Sequence, residues 1–597
     1  MRILSTTFLL TAFAVAQGPT WNLPADHSLR YERTRTITTR GLDPEPQPGD
    51  PKPPPFGIPG EFGRGVLLPT DLDARRRSVE REPFDLSELP WVVAFDLTSF
   101  RAGRSTREFA SVRPFGRLAV AVDGLAPSAT NRQRLTCRIL QRPVDAAKMD
   151  GPARDRNARL ERFRNVHSHG FDGNLTIERV FDAERGLITE FAARLDAEIV
   201  PREHPKYKRI AVTIEESWTL SEEFIADSPA FNERVGAAIL AGRQRIAKVL
   251  AEKLTKLGER PTDEQLHVDR EIGEIALMTL TLVKCRHPRT DPLLRDALRA
   301  LRDGRLRDTY SLAVGLMATE SFYAEPNERD HLLQGLIDRP QPRKPSDDDL
   351  AAMKTWVERL LDNRDADSDR SKVARWAYKP SPGWDNSTTQ FAILGLWSAQ
   401  LCGIAIDKDI WLTAAQHWFE TRCPSKERTT LAPLSYRQLE RGSTKGTSTP
   451  VITRGWSYHG SGGEPYGSMT AAGVASLTLI TAALRDQGLE RSPVIGECRS
   501  AIREGQAWLA AHFDVRSNPG RPFDYDFWRN YWLYGLERAC ELGQVARLGE
   551  RDWYFEGASL LLAMHGANGD FEPGDDVDDC FALLFLEKAA VPVSTGR

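Results

Sequence analysis

Cysteine is scarce: the 597 residues hold seven, at 137, 285, 402, 423, 498, 540 and 580. The number is odd, and no spacing among them suggests a disulfide framework or a zinc knuckle. Cys402, Cys540 and Cys580 stand inside helical apolar patterns and read as small core residues. An excess of one charge is missing too. Lys and Arg number 80 against 83 Asp and Glu, a net charge of −3, which is no footprint for nucleic acid. Long apolar runs are lacking after the N-terminus, so no later transmembrane segment is expected, since a span takes about 20 apolar residues.

The N-terminus does carry an apolar run. Arg2, the stretch Ile3 to Ala16 and the small residues Ala14 and Ala16 around Val15 have the composition of a secretory signal peptide over residues 1–16. A secreted or periplasmic location is therefore expected. Residues 17–87 are polar, with a proline-rich stretch from Asp43 to Gly60 (DPEPQPGDPKPPPFGIPG) that reads as an irregular linker.

Between residues 88 and 222 the period is two. PWVVAFDLTSF, GRLAVAVDG, RLTCRILQR, GNLTIERVF, GLITEFAARLDAEIV and KRIAVTIEESWTL each predict a strand. Leu187, Phe191, Ala193, Leu195, Ala197 and Ile199 share one face, and Glu190, Arg194, Asp196 and Glu198 the other. That is the pattern of an antiparallel sheet with one buried and one wet face. Residues 182–186 (DAERG) make the hairpin turn. His167 and His169, in VHSHG, fall on a loop at a strand start.

From residue 228 to 592 the period becomes helical. A long helix over 229–256 is followed by six segments that align by a small polar or charged start and a Leu seven places on. The starts are Gly273, Thr309, Thr389, Thr470, Arg529 and Asp579; the leucines are Leu280, Leu316, Leu396, Leu477, Leu536 and Leu586. Gly315, Gly395, Ser476 and Gly535 stand just before four of those leucines, where a small residue admits a neighbouring helix. Amphipathic segments alternate with them: DPLLRDALRALRD, DDDLAAMKTWVERLL, DKDIWLTAAQHWFE, VIGECRSAIREGQAWLAAHF and RDWYFEGASLLLAMH. Repeats that cannot bury a face alone must stack or close. The expected fold is a β-rich antiparallel domain followed by an all-α (α/α)6 toroid of six hairpins.

The helical half resembles the squalene-cyclase and protein-prenyltransferase repeat superfamily over about 230–592. The likeness is carried by residues 384–400, 454–477, 526–543 and 552–571. The family's Gln-x3-Gly-x-Trp turn stands here as His565, Gly569 and Phe571. The chain is similar to exported bacterial proteins with these repeats for which no reaction is established.

In such a toroid the inner helices begin at one end, which would gather Asp308, Asp385, Asn386, Ser468, Thr470, Asp524, Tyr531, Asp576, Asp578, Asp579 and Cys580 around one mouth. Helix starts there would also favour an anion. The last helix follows Gly569 and Phe571 and opens on Asp575, Asp576, Asp578 and Asp579. Asp576-Val577-Asp578-Asp579 resembles the Asp-x-Asp-Asp of alkene-protonating cyclases. That resemblance implies Asp578 as the acid, assisted by Asp576 and Asp579. Asp578-x-Cys580 resembles the zinc-binding Asp-x-Cys of prenyltransferases, for which His459 or His565 would have to complete the set; two ligands make no site, so no metal and no cofactor is assigned. The competing reading is that the acids begin a helix and Cys580 packs. A carbohydrate-active lyase or hydrolase would use Asp385, Glu464, Asp524, Tyr531 and the terminal acids. Sugars would then stack on Trp384, Trp456, Tyr458, Tyr466, Phe527, Trp528, Tyr531 and Trp532, although helical spacing assigns most of these to the core. The reading adopted is a non-catalytic binding or scaffold protein of the cell envelope. Its partner would be a small molecule, a glycan or an envelope protein, held at Asp385, Asn386, Thr470, Asp524 and Tyr531.

Overall fold

The computed structural model describes residues 26–43, 64–67, 84–85, 106–113, 116–129, 131–141, 168–182, 184–185, 187–201, 208–259, 269–430, 432–443, 450–520, 528–571 and 576–593. The signal-peptide stretch, the proline-rich stretch after Asp43, the strand expected at 90–100 and His167, Asp524, Phe527 and Asp575 lie outside the described residues. The chain divides into two compact units, Met1–Phe224 and Ile225–Arg597.

The first unit is a sheet. Its strands are β1 (His27–Asp43), β2 (Arg64–Leu67), β3 (Phe84–Asp85), β4 (Thr106–Arg113), β5 (Gly116–Ala129), β6 (Arg132–Gln141), β7 (Ser168–Asp182), β8 (Leu187–Pro201) and β9 (Arg209–Ile225). They lie in the order β2-β1-β9-β8-β7-β6-β5-β4-β3. From β4 to β9 successive neighbours are antiparallel, and β3 runs parallel to β4. The alternation along β8 follows the pleat: Leu187, Phe191, Ala193, Leu195, Ala197 and Ile199 are all buried, while Glu190, Arg194 and Glu198 are exposed.

The reading of 17–87 as irregular is corrected by β1, which pairs with β2 and lies beside β9. Only Leu29 and Tyr31 supply buried apolar side chains to it, too few for a periodicity signal. Polar contacts to β9 take their place. Arg30 bonds Glu222 at 2.9 Å, Arg35 bonds Glu216, and Arg33 lies over the Trp218 ring at 5.2 Å.

The second unit contributes 14 helices among the described residues. They are α1 (Pro229–Gly258), α2 (Asp269–Lys284), α3 (Pro292–Asp303), α4 (Thr309–Phe322), α5 (Glu328–Leu333), α6 (Asp347–Asp362), α7 (Asn386–Leu401), α8 (Lys408–Glu420), α9 (Tyr436–Glu440), α10 (Gly467–Asp486), α11 (Pro493–Ala511), α12 (Arg529–Glu541), α13 (Trp553–Met564) and α14 (Asp576–Leu586). The six aligned segments are α2, α4, α7, α10, α12 and α14. In the first three that follow α2, nearly every residue is buried; α10 is buried from Gly467 to Leu484. Each packs on the next, and α14 packs on α2. The amphipathic partners bury one stripe. In α3 that stripe is Leu294, Ala297, Leu298 and Leu301, each leucine worth roughly 1.5–3 kcal/mol of removal from water.

Two further expectations are corrected. α13, read as amphipathic, is buried from Phe555 to Ala563 because α1, α14 and a short strand at Val545–Leu548 all pack on it. α10, 20 residues long, is long and apolar enough to cross a membrane by composition, contrary to the expectation that no later segment is. It is 94% buried among its neighbours, which accounts for its apolar character without a bilayer. All seven cysteines are buried.

Candidate functional site

The starts of three of the aligned helices, α4, α7 and α10, are satisfied by a repeating arrangement. A helix leaves its first N–H groups without intrahelical partners. In α4, Asp308 caps Tyr310 N at 2.9 Å, and Thr309 donates from N to Tyr378 O at 2.8 Å and from Oγ1 to Ala377 O at 2.6 Å. In α7, Asp385 caps Thr388 N at 2.7 Å. There Asn386 donates from N to Tyr458 O at 3.0 Å and from Nδ2 to Ser457 O at 2.8 Å. In α10, Gly467 N donates to Pro519 O at 2.7 Å, and Ser468 N to Asn518 Oδ1 at 2.8 Å. Each helix start is thus fastened to the loop that precedes the next aligned helix. These N–H groups are taken up by the chain itself, so the helix ends hold little donor capacity for an anion.

Two tryptophans fix the loops concerned. Trp376 N donates to Thr389 Oγ1 and Trp456 N to Thr470 Oγ1, while their indoles donate to Leu360 O and Trp418 O. Two residues on, Tyr378 and Tyr458 bring their hydroxyls within 3.1 Å of each other. Tyr458 also bonds Asp385. Burial raises the Asp385 carboxyl above its ordinary range, and bonds from Thr388 and Tyr458 pull the other way.

A second hydroxyl chain crosses between helices. Tyr310 OH donates to Ser387 Oγ at 2.8 Å, Ser387 Oγ meets Tyr531 OH at 2.8 Å, and Tyr531 OH donates toward Gln390 Oε1 at 3.3 Å. Phe391 makes ring contacts with Tyr310, Tyr531 and Tyr534, and Phe581 with Tyr531 and Tyr534. α7 and α12 are separated by α10 in the succession of neighbours, yet their rings meet.

The acids of α14 are turned to another task. Arg245 of α1 reaches Asp576 at 2.8 Å and Asp579 at 2.6 Å, and Asp579 is 1% exposed. Phe571 N donates to Asp579 at 2.7 Å, so this carboxylate also fastens the turn before the helix. Asp578 is half-buried, and its backbone carbonyl accepts from Asn530 Nδ2 at 3.3 Å. Cys580 is fully buried; burial pushes its thiol up, against a bond to Thr281.

The opposite ends of the aligned helices carry a buried ion network that periodicity could not reveal. Arg343 bonds Glu320 and Glu328, each at 2.6 Å, and its N–H donates to Leu401 O. Arg329 bonds Glu541 at 2.9 Å, which also accepts from Tyr436 OH. Glu537 pairs with Arg538 at 3.0 Å and accepts from Ala590 N at 2.7 Å. Arg343 and Arg329 belong to the segment after α4, which thereby reaches the ends of α7 and α12.

Of the residues expected to bind a ligand, Asn386 and Thr470 are fully buried and occupied with loop carbonyls and N–H groups. Asn386 Oδ1 also accepts from His417 Nε2 at 2.8 Å, a tautomer set by the other bonds of that amide. Tyr531 and Asp385 are brought to the same helix ends, linked through Ser387, Tyr310, Tyr378 and Tyr458. Among the expected stacking aromatics, Trp456, Tyr466 and Trp532 are core. Trp384 is half-buried beneath Arg375 at 4.7 Å, whereas Trp528 is 55% exposed. His459 bonds Trp384 O, His565 makes a tilted ring contact with Phe571 at 5.1 Å, and Glu464 is exposed. Sequence reasoning missed Tyr378, 48% exposed; its signal is the Trp-x-Tyr shared by Trp376-Ala377-Tyr378 and Trp456-Ser457-Tyr458.

No protein-family model matches the chain, and no curated protein matches it significantly.

Proposed function

We propose that the helical region is an (α/α)6 toroid and that the chain is an exported, non-catalytic binding protein of the cell envelope. Its ligand would sit at the mouth where the six apolar helices begin. The closed arrangement is supported by the succession of helix contacts that returns from α14 to α2. Export is supported by the composition of residues 1–16.

The observation that carries the non-catalytic reading is the employment of the acids. Asp308 and Asp385 cap helices, and Asp576 and Asp579 face Arg245. The Arg245 guanidinium offsets the crowding of negative charge that would hold Asp578 protonated and ready to donate a proton. The rings of Phe391, Tyr531, Tyr534 and Phe581 pack against one another between α7, α12 and α14, which supports a plugged interior over a cavity for a polyene. The ion network of Arg343, Arg329 and Glu537 lies at the opposite helix ends, which supports an approach from the mouth.

Co-sedimentation of the purified protein with isolated cell envelopes tests this. Binding is expected for the wild type and for Asp578→Asn, and is expected to be lost in Trp528→Ala/Tyr378→Ala with folding intact. Unchanged binding in that double variant would overturn the mouth as the site.

A second reading, a carbohydrate lyase or hydrolase, is favoured by one observation: the raised carboxyl of Asp385 bonded to Tyr458. It requires release of reducing or unsaturated ends from envelope polysaccharide, abolished by Asp385→Asn.

A further inference from the structure

The mouth carries buried polar atoms without partners among the described residues. Gln390 is 1% exposed, and its Nε2 makes no hydrogen bond among the described residues although its Oε1 accepts from Tyr531. Asn530, fully buried and next to Tyr531 in α12, likewise has no partner for Oδ1 while its Nδ2 donates to Asp578 O. A buried amide atom without a partner costs roughly 1–3 kcal/mol, so one N–H and one C=O here await a ligand that both accepts and donates. Tyr310, Ser387 and Tyr531 continue that chain with groups that do either. At its edge stand two exposed aromatics, Tyr378 and Trp528, joined to the chain by the Tyr310–Tyr378 contact at 5.4 Å and the Trp528–Tyr531 contact at 6.2 Å. Trp528 is also held at φ +68°, a left-handed conformation costly for a bulky side chain.

We propose that this mouth binds a neutral saccharide, with pyranose faces on Trp528 and Tyr378 and hydroxyls bonded to Gln390, Tyr531, Tyr458 and Asp385. The inference rests on the reading above that the mouth is the ligand site. Three observations choose a sugar over other ligands. The helix-start N–H groups are taken up by neighbouring loops, which leaves an anion little to bind. Asp385 is a carboxylate acceptor suited to hydroxyl donors. The Tyr310 and Tyr378 rings meet edge to face, at 61°, and Tyr378 and Tyr458 converge by their hydroxyls; a cage for a quaternary ammonium needs converging ring faces instead.

The test is calorimetric titration of the full chain with cellohexaose, chitohexaose and maltohexaose, with tetramethylammonium and inorganic phosphate as contrasting probes. At least one oligosaccharide should bind, about tenfold or more weakly in Trp528→Ala and in Tyr378→Ala, as for aromatic anchors elsewhere. Gln390→Met, which keeps the volume and removes the amide, should weaken it too. If the double variant loses envelope binding but no oligosaccharide binds the wild type, the saccharide assignment is overturned while the mouth stands. Binding of tetramethylammonium or phosphate in place of the sugars overturns it as well. Envelope binding that survives in the double variant removes the mouth itself.

Discussion

Gly395 of α7 lies against Ala313 of α4 so closely that a Cβ on it would come within 2.9 Å of the Ala313 Cα and 3.1 Å of its Cβ. Backbone cannot give way as a flexible side chain can, so Gly395→Ala should destabilise the helical unit by about 1–3 kcal/mol. Gly535 holds the corresponding place in α12, where a Cβ would meet nothing nearer than 3.6 Å. Gly535→Ala should be neutral or stabilising by up to about 1 kcal/mol through helix propensity. Urea unfolding of both variants checks the contrast, and equal effects would show that the close approach is not what matters.

The clamp of Arg245 on Asp576 and Asp579 yields a second expectation. Removing the cation leaves Asp579 buried and unpaired, so Arg245→Met should cost about 3–5 kcal/mol. Arg245→Met combined with Asp579→Asn should regain part of that loss. A loss under 1 kcal/mol in thermal unfolding of Arg245→Met would contradict a structural role for these acids.

Two buried groups predict opposite pH slopes. Burial raises Glu537 from 4.5 to about 7, against the pull of Arg538 and the Ala590 N–H. A carboxyl that is raised on folding stabilises most at low pH, and its contribution disappears as pH climbs from about 4.5 through about 7. Burial lowers His417 from 6.5 to about 3, with Arg375 adding to the effect. Its contribution is complete above 6.5 and is lost as pH falls toward 3. Glu537→Gln should therefore flatten the decline toward neutral pH, and His417→Gln the decline toward acid, each by an amount on the order of a few kcal/mol. Stability measured from pH 3 to 8 decides it; profiles that match the wild type would sink both assignments.

In the sheet, Glu216 has no exposed side-chain area and is held by Arg35 and by Trp218 Nε1 at 2.9 Å. Arg35→Met should destabilise the sheet unit by roughly 3 kcal/mol or more. Glu216→Gln in the same chain should recover much of it. Hydrogen exchange along β9 gives the readout, and protection unchanged in Arg35→Met would show that β1 is held otherwise.

These cases separate what the sequence made legible from what it did not. The aligned helices could be read because each must be apolar over most of its surface, and β8 because its pleat alternates without a break until Leu187. β1 could not, since its place rests on Arg30, Arg33 and Arg35 meeting acids and an indole nearly two hundred residues away. The same holds for Arg343 with Glu320 and Glu328, charges that read as solvent-facing until the fold encloses them. Among the groups joined at the helix starts, Asp385 and Tyr531 were legible as helix-start residues, while Tyr378 was hidden in a proline-flanked loop. The acids of α14 were legible as a cluster, but their pairing with Arg245, more than three hundred residues upstream, was not.

The fastening of Thr309, Asn386 and Gly467 to the loops at Tyr378, Tyr458 and Pro519 gives the helical half a direction. α4, α7 and α10 are each completed from the C-terminal side, so none of these three is a self-sufficient folding block. A chain cut after Leu401 would leave the Asn386 amide of α7 bare, with only the Asp385 cap on Thr388 remaining, and damage to one loop would be felt by the helix before it. During synthesis, then, the beginnings of α4, α7 and α10 wait for the following loop to emerge before they are set.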